Sequence, residues 1–317
     1  MPVKRTDEGQ ESARSLVDLV AVVVSASPEA PKVLVVTGAD RRDQLPAGSL
    51  APHHRTLEAG LRAWVEQQTQ LRLGYVEQLY TFGDAGRIGA EARHDLSVAY
   101  LALVRDANPG AGLTAAWREW YGYFPWEDWR EGRPAALDTL EGKLKSWVKN
   151  MDRAQRERVE ERIELAFGFE TGLWSDERVL DRYELLYGAD LVAEAPGAAA
   201  RAAVRGSGVA MAFDHRRILA TALSRLRSKI KYRPVIFELM PDSFTLLDLQ
   251  ETVEALSGVR LHKPNFRRLV ESQGLVEETG EVSTATGGRP ARLVRFRREV
   301  LRERPAPGVR LPLPRRS

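Results

Sequence analysis

The chain has 317 residues, 43% apolar and 29% charged, which describes a globular protein long enough for two domains. No stretch approaches the roughly 18 uninterrupted apolar residues of a membrane-spanning helix, and the start MPVKRTDEGQESARS is too polar for a secretory signal. Cysteine is absent, which excludes disulfides, thiolate metal sites and a cysteine nucleophile; a cytoplasmic location is the simplest expectation.

The net charge of +3 is unevenly distributed. Residues 1–214 carry 26 Lys+Arg against 33 Asp+Glu, a balance of −7, whereas residues 215–317 carry 21 against 11, a balance of +10. A basic second half on an acidic first half suggests a nucleic-acid module joined to a sensing module. The alternative is a solvated basic surface with no partner.

Residues 1–14 read as a disordered tail. Leu16–Ser25 (LVDLVAVVVS) and Lys32–Val36 (KVLVV), separated by Pro28 and Pro31, read as neighbouring strands of one sheet. Next comes GSLAPHHRTLEAGLRAWVEQQTQLRLGYVEQLYTFGD, from Gly48 to Asp84, which reads as glycine turn, helix and strand. Leu57, Leu61, Trp64 and Val65 recur at spacings of three and four and share a helical face. Thr56 is suited to cap that helix, and Glu58 suits its positive end. Leu73–Phe82 is aromatic and β-branched enough for a strand, and His94–Arg105 (HDLSVAYLALVR) reads as another. Strands around an early helix give an α/β sandwich.

The segment 106–207 contains WREWYGYFPWEDWR, with Trp117, Trp120, Trp126 and Trp129, then stretches that read as helices at Leu137–Asn150, Asp152–Phe167 and Ser175–Tyr187. The tryptophans suit base stacking, a dimer interface, or a satellite core for these helices; the last is the favoured expectation. Glu157, Glu160, Glu161 and Glu164 form an acidic helix surface, read as solvated rather than metal-binding. Ala193–Gly208 reads as a loop returning to the main body.

After it, Ile218, Leu219, Ala222, Leu223, Leu226 and Ile230 make an apolar stripe on a long helix with Asp214 as its expected N-cap. Arg225, Arg227, Lys229 and Lys231 crowd its C-terminal half, where the helix dipole favours cations. From Pro234 the pattern is helix, helix, helix, hairpin: Val235–Met240, Leu246–Ser257 behind a Thr245/Asp248 capping box, Pro264–Ser272, then strands Leu275–Glu278 and Arg292–Arg297. This is the layout of a winged helix-turn-helix, an α+β module whose third helix enters the major groove. Lys263, Asn265, Arg267 and Arg268 cluster at the start of that helix, and asparagine and arginine read adenine and guanine edges. In the wing, Arg289 of Gly287-Gly288-Arg289-Pro290 suits a narrow minor groove, while Arg292, Arg295, Arg297 and Arg298 suit phosphates. The proline- and arginine-rich 301–317 reads as a second disordered tail.

The Gly48–Asp84 stretch resembles the Nudix box, a glycine loop and helix whose glutamates hold divalent metal against a diphosphate. Gly48 fits the family glycine and Arg62 the family arginine. His54 stands where the first glutamate belongs, Ala63 and Gln67 replace others, and Glu66 alone survives. The resemblance implies a Nudix scaffold without its catalyst, hence no enzyme, no bound metal and no resident cofactor. YVEQLYTFGD with LSVAYLALV, the FDH-to-YRP helix, NFRR and the glycine-arginine-proline wing resemble the NrtR-type regulators of NAD metabolism, over roughly 15–105 and 208–298. That family spans the intervening gap with far fewer residues.

The resemblance implies a Nudix-like sensing domain over 15–230, with an insertion at about 106–207, and a winged helix-turn-helix domain over 231–300. It implies a homodimer on a palindromic operator of double-stranded DNA, and a repressor of NAD synthesis or salvage genes. The effector would be ADP-ribose or a related nucleotide, held near Arg62, Glu66, Tyr80, Asp84 and Arg87. Two alternatives stay open: an active Nudix hydrolase of ADP-ribose-like substrates with an accessory basic domain, and a DNA-bound regulator whose sensor is empty. The five histidines lack zinc-ligand spacing, and no Gly-x-Ser-x-Gly, Walker or Rossmann motif is present.

Overall fold

The computed structural model describes residues 17–83, 96–105, 107–197, 206–283 and 290–303. Strand β1 (Val17–Ala26) is the spine of a seven-stranded mixed sheet. It runs parallel to β6 (Leu96–Leu103) and antiparallel to β2 (Pro31–Thr37), with Leu19 opposite Val98 and Val24 opposite Val33. Short strands β3 (Asp43–Gln44) and β4 (Ala47–Ser49) pair with β2 and β1, and β5 (Tyr75–Phe82) lies outside β6. Because β1 is covered on both faces, its sequence is apolar without alternation.

One face is closed by α1 (Leu57–Thr69), whose Leu61 and Val65 meet Leu19, Ala21 and Val23. Thr56 caps it by accepting from the Ala59 N–H at 3.0 Å, and Glu58 sits in its first turn. Gln70 stops it in a left-handed conformation. The opposite face of β1, Val20, Val22 and Val24, joins a core that continues without a break into the helices that follow the sheet and into the C-terminal domain.

The segment after residue 106 begins as part of the sheet rather than as an insertion: β7 (Ala115–Glu119) pairs antiparallel with β2, Leu34 opposite Trp117. An Ala-Ala-Trp-Arg run carries little strand patterning, and its pairing with β2 decides its form. Helices α2 (Ala136–Val148), α3 (Arg153–Phe167) and α4 (Val179–Gly188) follow, with Asp152 capping α3 through the Gln155 N–H at 2.9 Å. Trp120 and Trp126 are fully buried in the shared core, so these two are neither exposed for stacking nor confined to a satellite, while Trp117 and Trp129 are half-buried. Trp117 donates its indole N–H to the Ala107 carbonyl at 2.7 Å.

Helix α5 (His215–Tyr232) buries the full apolar stripe from Ile218 to Ile230. Asp214 holds the N-cap position, but its side chain makes no capping bond. The expected basic crowd on α5 is partly internal. Arg227 is fully buried against Glu127 at 2.6 Å, and Lys231 is buried against Asp176 at 2.8 Å and Glu177 at 2.6 Å. Glu127 also takes Arg182 of α4 at 2.6 Å, so one carboxylate from the tryptophan-rich loop joins two helices.

A 3₁₀ turn (Pro234–Glu238) leads to β8 (Phe244–Thr245), α6 (Leu246–Ser257), α7 (Lys263–Ser272), β9 (Val276–Ser283) and β10 (Ala291–Phe296). The strands form a separate sheet in the order β8-β10-β9. Both halves of the Thr245/Asp248 capping box are made, at 3.1 and 2.8 Å. The chain does not loosen at 301: α8 (Val300–Glu303) follows β10, Val300 is fully buried, and Arg297 holds Glu303 at 2.7 Å. Residues 1–16 and 304–317 lie outside the described residues.

Candidate nucleic-acid interface and sensor cleft

Helix α7 divides by face. Phe266 and Val270 are buried under the domain, while Lys263, Asn265, Arg267 and Arg268 are all exposed. Pro264 in the first turn presets the helical backbone, which places these polar side chains at the helix start. Arg268 donates to the Asn265 carboxamide oxygen at 2.8 Å. All four side chains are open to solvent near the start of the helix, rich in donors and suited to base edges and phosphates.

The wing is less free. Arg292 pairs with Glu278 at 2.6 Å and Arg295 with Glu277 at 2.7 Å across β9 and β10. Both pairs are solvent-exposed and weak, so a phosphate competes with them at little cost. Arg297 is structural, donating to the Gly274 carbonyl at 2.9 Å besides its pair with Glu303. Arg289 at the wing tip lies outside the described residues.

Of the residues expected to hold a nucleotide, Arg62 and Glu66 stand one turn apart on α1 and Tyr80 lies on β5. Arg62 donates to Glu58 at 2.9 Å and to the carbonyls of Leu73 and Gly74, so it ties α1 to the start of β5. Glu66 pairs with Arg72 at 3.1 Å on the surface. Tyr80 is 62% exposed, its ring edge-on to Phe82 at 5.2 Å. Asp84 and Arg87 lie outside the described residues.

The divalent metal of a Nudix centre does not fit the residues present. His54 accepts the Ala51 N–H at 3.1 Å and packs over Gly60, where an added Cβ would sit 2.7 Å from its Nδ1. Glu58 and Glu66 each face an arginine. Among the described residues no group of three or more His, Cys, Asp or Glu could hold a metal ion.

A cleft of about 190 Å³ opens instead on the α5 side of the sheet, between β1, β4, β6 and the start of α5. Gly48 of the box lines it with Asp18, Gln44, Ser97, Phe213, Asp214 and His215. His215 accepts the Leu45 N–H through Nδ1 at 2.9 Å, which leaves its hydrogen on Nε2. Asp18 accepts from the Ser49 hydroxyl at 2.6 Å. Asp43 behind the cleft accepts from the Tyr123 hydroxyl at 2.6 Å, and burial followed by this bond pushes the Tyr123 phenol well above its usual range. The Asp43 carbonyl also accepts the Ala212 N–H at 3.0 Å, which fixes the entry to α5. The Phe213-Asp214-His215 triplet was the sequence signal for this cleft. It reads as a helix start, and only the fold sets it beside Gly48.

Residues 236–296 match the family described as the NrtR DNA-binding winged helix domain. A curated relative, the ADPR responsive transcriptional repressor NtrR of Acinetobacter baylyi, is 44% identical over 86 residues, 27% of this chain and 34% of that protein. The match thus spans about a third of that relative's length. Among solved structures, Shewanella oneidensis NrtR complexed with a 27mer DNA aligns with a TM-score of 0.55 and 19% identity, over 90% of this chain and 94% of that one. A MutT/nudix family protein from Enterococcus faecalis aligns at 0.52 and 16% identity, over 92% and 89%. The fold is a Nudix-type domain followed by a winged helix domain of the NrtR kind.

Proposed function

We propose that this chain is a DNA-binding transcriptional regulator, a repressor of NAD synthesis or salvage genes, whose Nudix-like domain senses ADP-ribose or a related nucleotide. The observation that carries this reading is the exposed Lys263, Asn265, Arg267 and Arg268 surface on α7, within a domain that matches the NrtR winged helix. The repressor from Acinetobacter baylyi, named as responding to ADPR, supports the effector class. The protein acts in the cytoplasm as a homodimer, each α7 entering one half-site of a palindrome.

The cleft is the sensor site in this reading. Gly48 lines it together with Asp214 and His215, the residues that start α5. An effector that binds one placement of α5 more tightly than another changes DNA affinity by that difference and no more. Arg62, Glu66 and Tyr80, on α1 and β5, are the further side chains offered to the nucleotide in this reading. The Nudix scaffold is catalytically silent, because the position of its first glutamate is His54, bonded into its own loop.

The test is fluorescence anisotropy on the promoter of the protein's own operon, at fixed salt, with and without ADP-ribose. Tight binding that is lost in Arg267→Ala/Arg268→Ala and shifted by ADP-ribose is expected. Magnesium-dependent release of AMP from ADP-ribose at enzymatic rates would replace this reading with the hydrolase.

A further inference from the structure

The C-terminal end of α6 is capped from outside its own domain. The last carbonyls of a helix have no partner within it and carry the negative end of its dipole. Here the Ala255 carbonyl accepts from the Tyr121 hydroxyl at 2.7 Å. The Leu256 carbonyl accepts from Arg227 Nε at 2.9 Å, and the Gly258 carbonyl accepts the Trp129 N–H at 2.7 Å. Two of these donors belong to the tryptophan-rich loop and the third to α5. Each comes from the sensor side, and all point at the helix that precedes the recognition helix.

The fit is close as well as bonded. Gly258 is left-handed, φ +74°, and an added Cβ would stand 2.3 Å from the Glu127 carbonyl oxygen. Arg260, in the turn between α6 and α7, reaches Glu131 of the same loop at 2.7 Å. The loop is itself anchored by Glu127, whose buried carboxylate holds Arg182 and Arg227. A chain of direct contacts therefore runs from α4 and α5 through residues 121–131 to the helix-turn-helix.

We infer that the 121–131 loop is the positioning element of the DNA-binding domain, setting the direction of α7 relative to the sensor through Tyr121, the Trp129 backbone and Glu131. This rests on the regulator reading above for its consequence, though not for its geometry. With α6 held at one end by three donors, a shift of α5 is delivered to the recognition helix rather than lost in a hinge. Tyr121 and Glu131 touch neither the DNA-facing surface of α7 nor the sensor cleft, so they act through the helix they hold.

The test uses the full chain, which has no cysteine of its own. Spin labels at Gln67→Cys on α1 and Glu271→Cys on α7, both exposed positions, report the sensor-to-recognition-helix distance by pulsed electron resonance. The labelled parent is compared with Tyr121→Phe, which removes one hydroxyl and keeps the ring, and with Tyr121→Phe/Glu131→Ala. A narrow parent distribution that broadens or shifts in the variants, at unchanged melting temperature, is expected. In parallel, the fold-change in operator affinity caused by ADP-ribose should fall at least threefold in the double variant, with ADP-ribose affinity of the free protein retained. Distributions identical to the parent would overturn the inference. A parent whose DNA binding ignores ADP-ribose would overturn the effector reading and leave the distance measurement to decide this one.

Discussion

Arg268 donates to the Asn265 carboxamide oxygen at 2.8 Å, one turn back along α7. A guanidinium has no acceptor, so it can meet only the oxygen, and this fixes which end of the carboxamide carries the hydrogens. The Asn265 NH₂ group is thereby directed away from Arg268 before any DNA arrives. Preset polar groups of this kind lose less freedom on binding.

Asn265→Ala should therefore cost about 1–3 kcal/mol on the operator and little on unrelated duplex, the sign of lost base reading. Arg267→Ala should weaken both, and lower the slope of affinity against salt by about one. Titrations on both duplexes at several salt concentrations separate the two. Equal losses for Asn265→Ala on both duplexes would remove it from base recognition.

Glu127 is fully buried and accepts from Arg182 at 2.6 and 2.9 Å and from Arg227 at 2.6 Å. Glu127→Ala would strand two guanidinium groups in the core without a counter-charge, at a cost of roughly 3–5 kcal/mol. A fall in melting temperature on the order of 10 °C should follow for a chain of this length. An exposed ion pair such as Arg153–Glu157 is the control, since its removal should move the transition hardly at all.

Lys231 gives a pH dependence of opposite sign to the usual acid effect. Burial alone would lower its pKa, but Asp176 and Glu177 beside it outweigh burial and hold it above the ordinary 10.5. A folded-state pKa above the unfolded one contributes stability that is complete below 10.5 and fades as pH climbs through the folded value. The stability gap between wild type and Lys231→Met should thus be flat through neutral pH and narrow only on the alkaline side. Urea titrations across that range measure it, and a gap that narrows on acidification from neutral to weakly acidic pH would contradict the assignment.

These charges mark the limit of what the sequence discloses. The α1 cap at Thr56, the α5 stripe, the Thr245/Asp248 box and the buried Phe266 and Val270 all follow from local patterns, because a few neighbouring residues decide them. By sequence Arg227 and Lys231 read as cations suited to the negative end of the helix dipole. Their partners Glu127 and Asp176 lie far away in the chain, in a segment with no pattern that marks them as buried. Strand β7 escaped for the same reason, being defined by β2 rather than by its own residues. The nucleotide residues rest on a resemblance to a drifted box rather than on a local pattern, and the bonds of Arg62 to the Leu73 and Gly74 carbonyls carry no sequence signal either.

His54 supplies the last expectation. Its Nδ1 accepts the Ala51 N–H at 3.1 Å, and its ring lies against Gly60 and edge-on to Trp64. Loss of that bond in His54→Ala should cost about 1 kcal/mol. His54→Glu restores the residue type the Nudix box has there, yet it should not restore hydrolysis. A hard divalent ion needs several oxygen ligands at once. Glu58 and Glu66 stay engaged by Arg62 and Arg72, and Ala63 and Gln67 offer no carboxylate. The measurement is AMP release from ADP-ribose with magnesium, for wild type and His54→Glu side by side. Turnover gained by this single change would mean that the carboxylate pairs open readily, and that the scaffold stands one residue from catalysis.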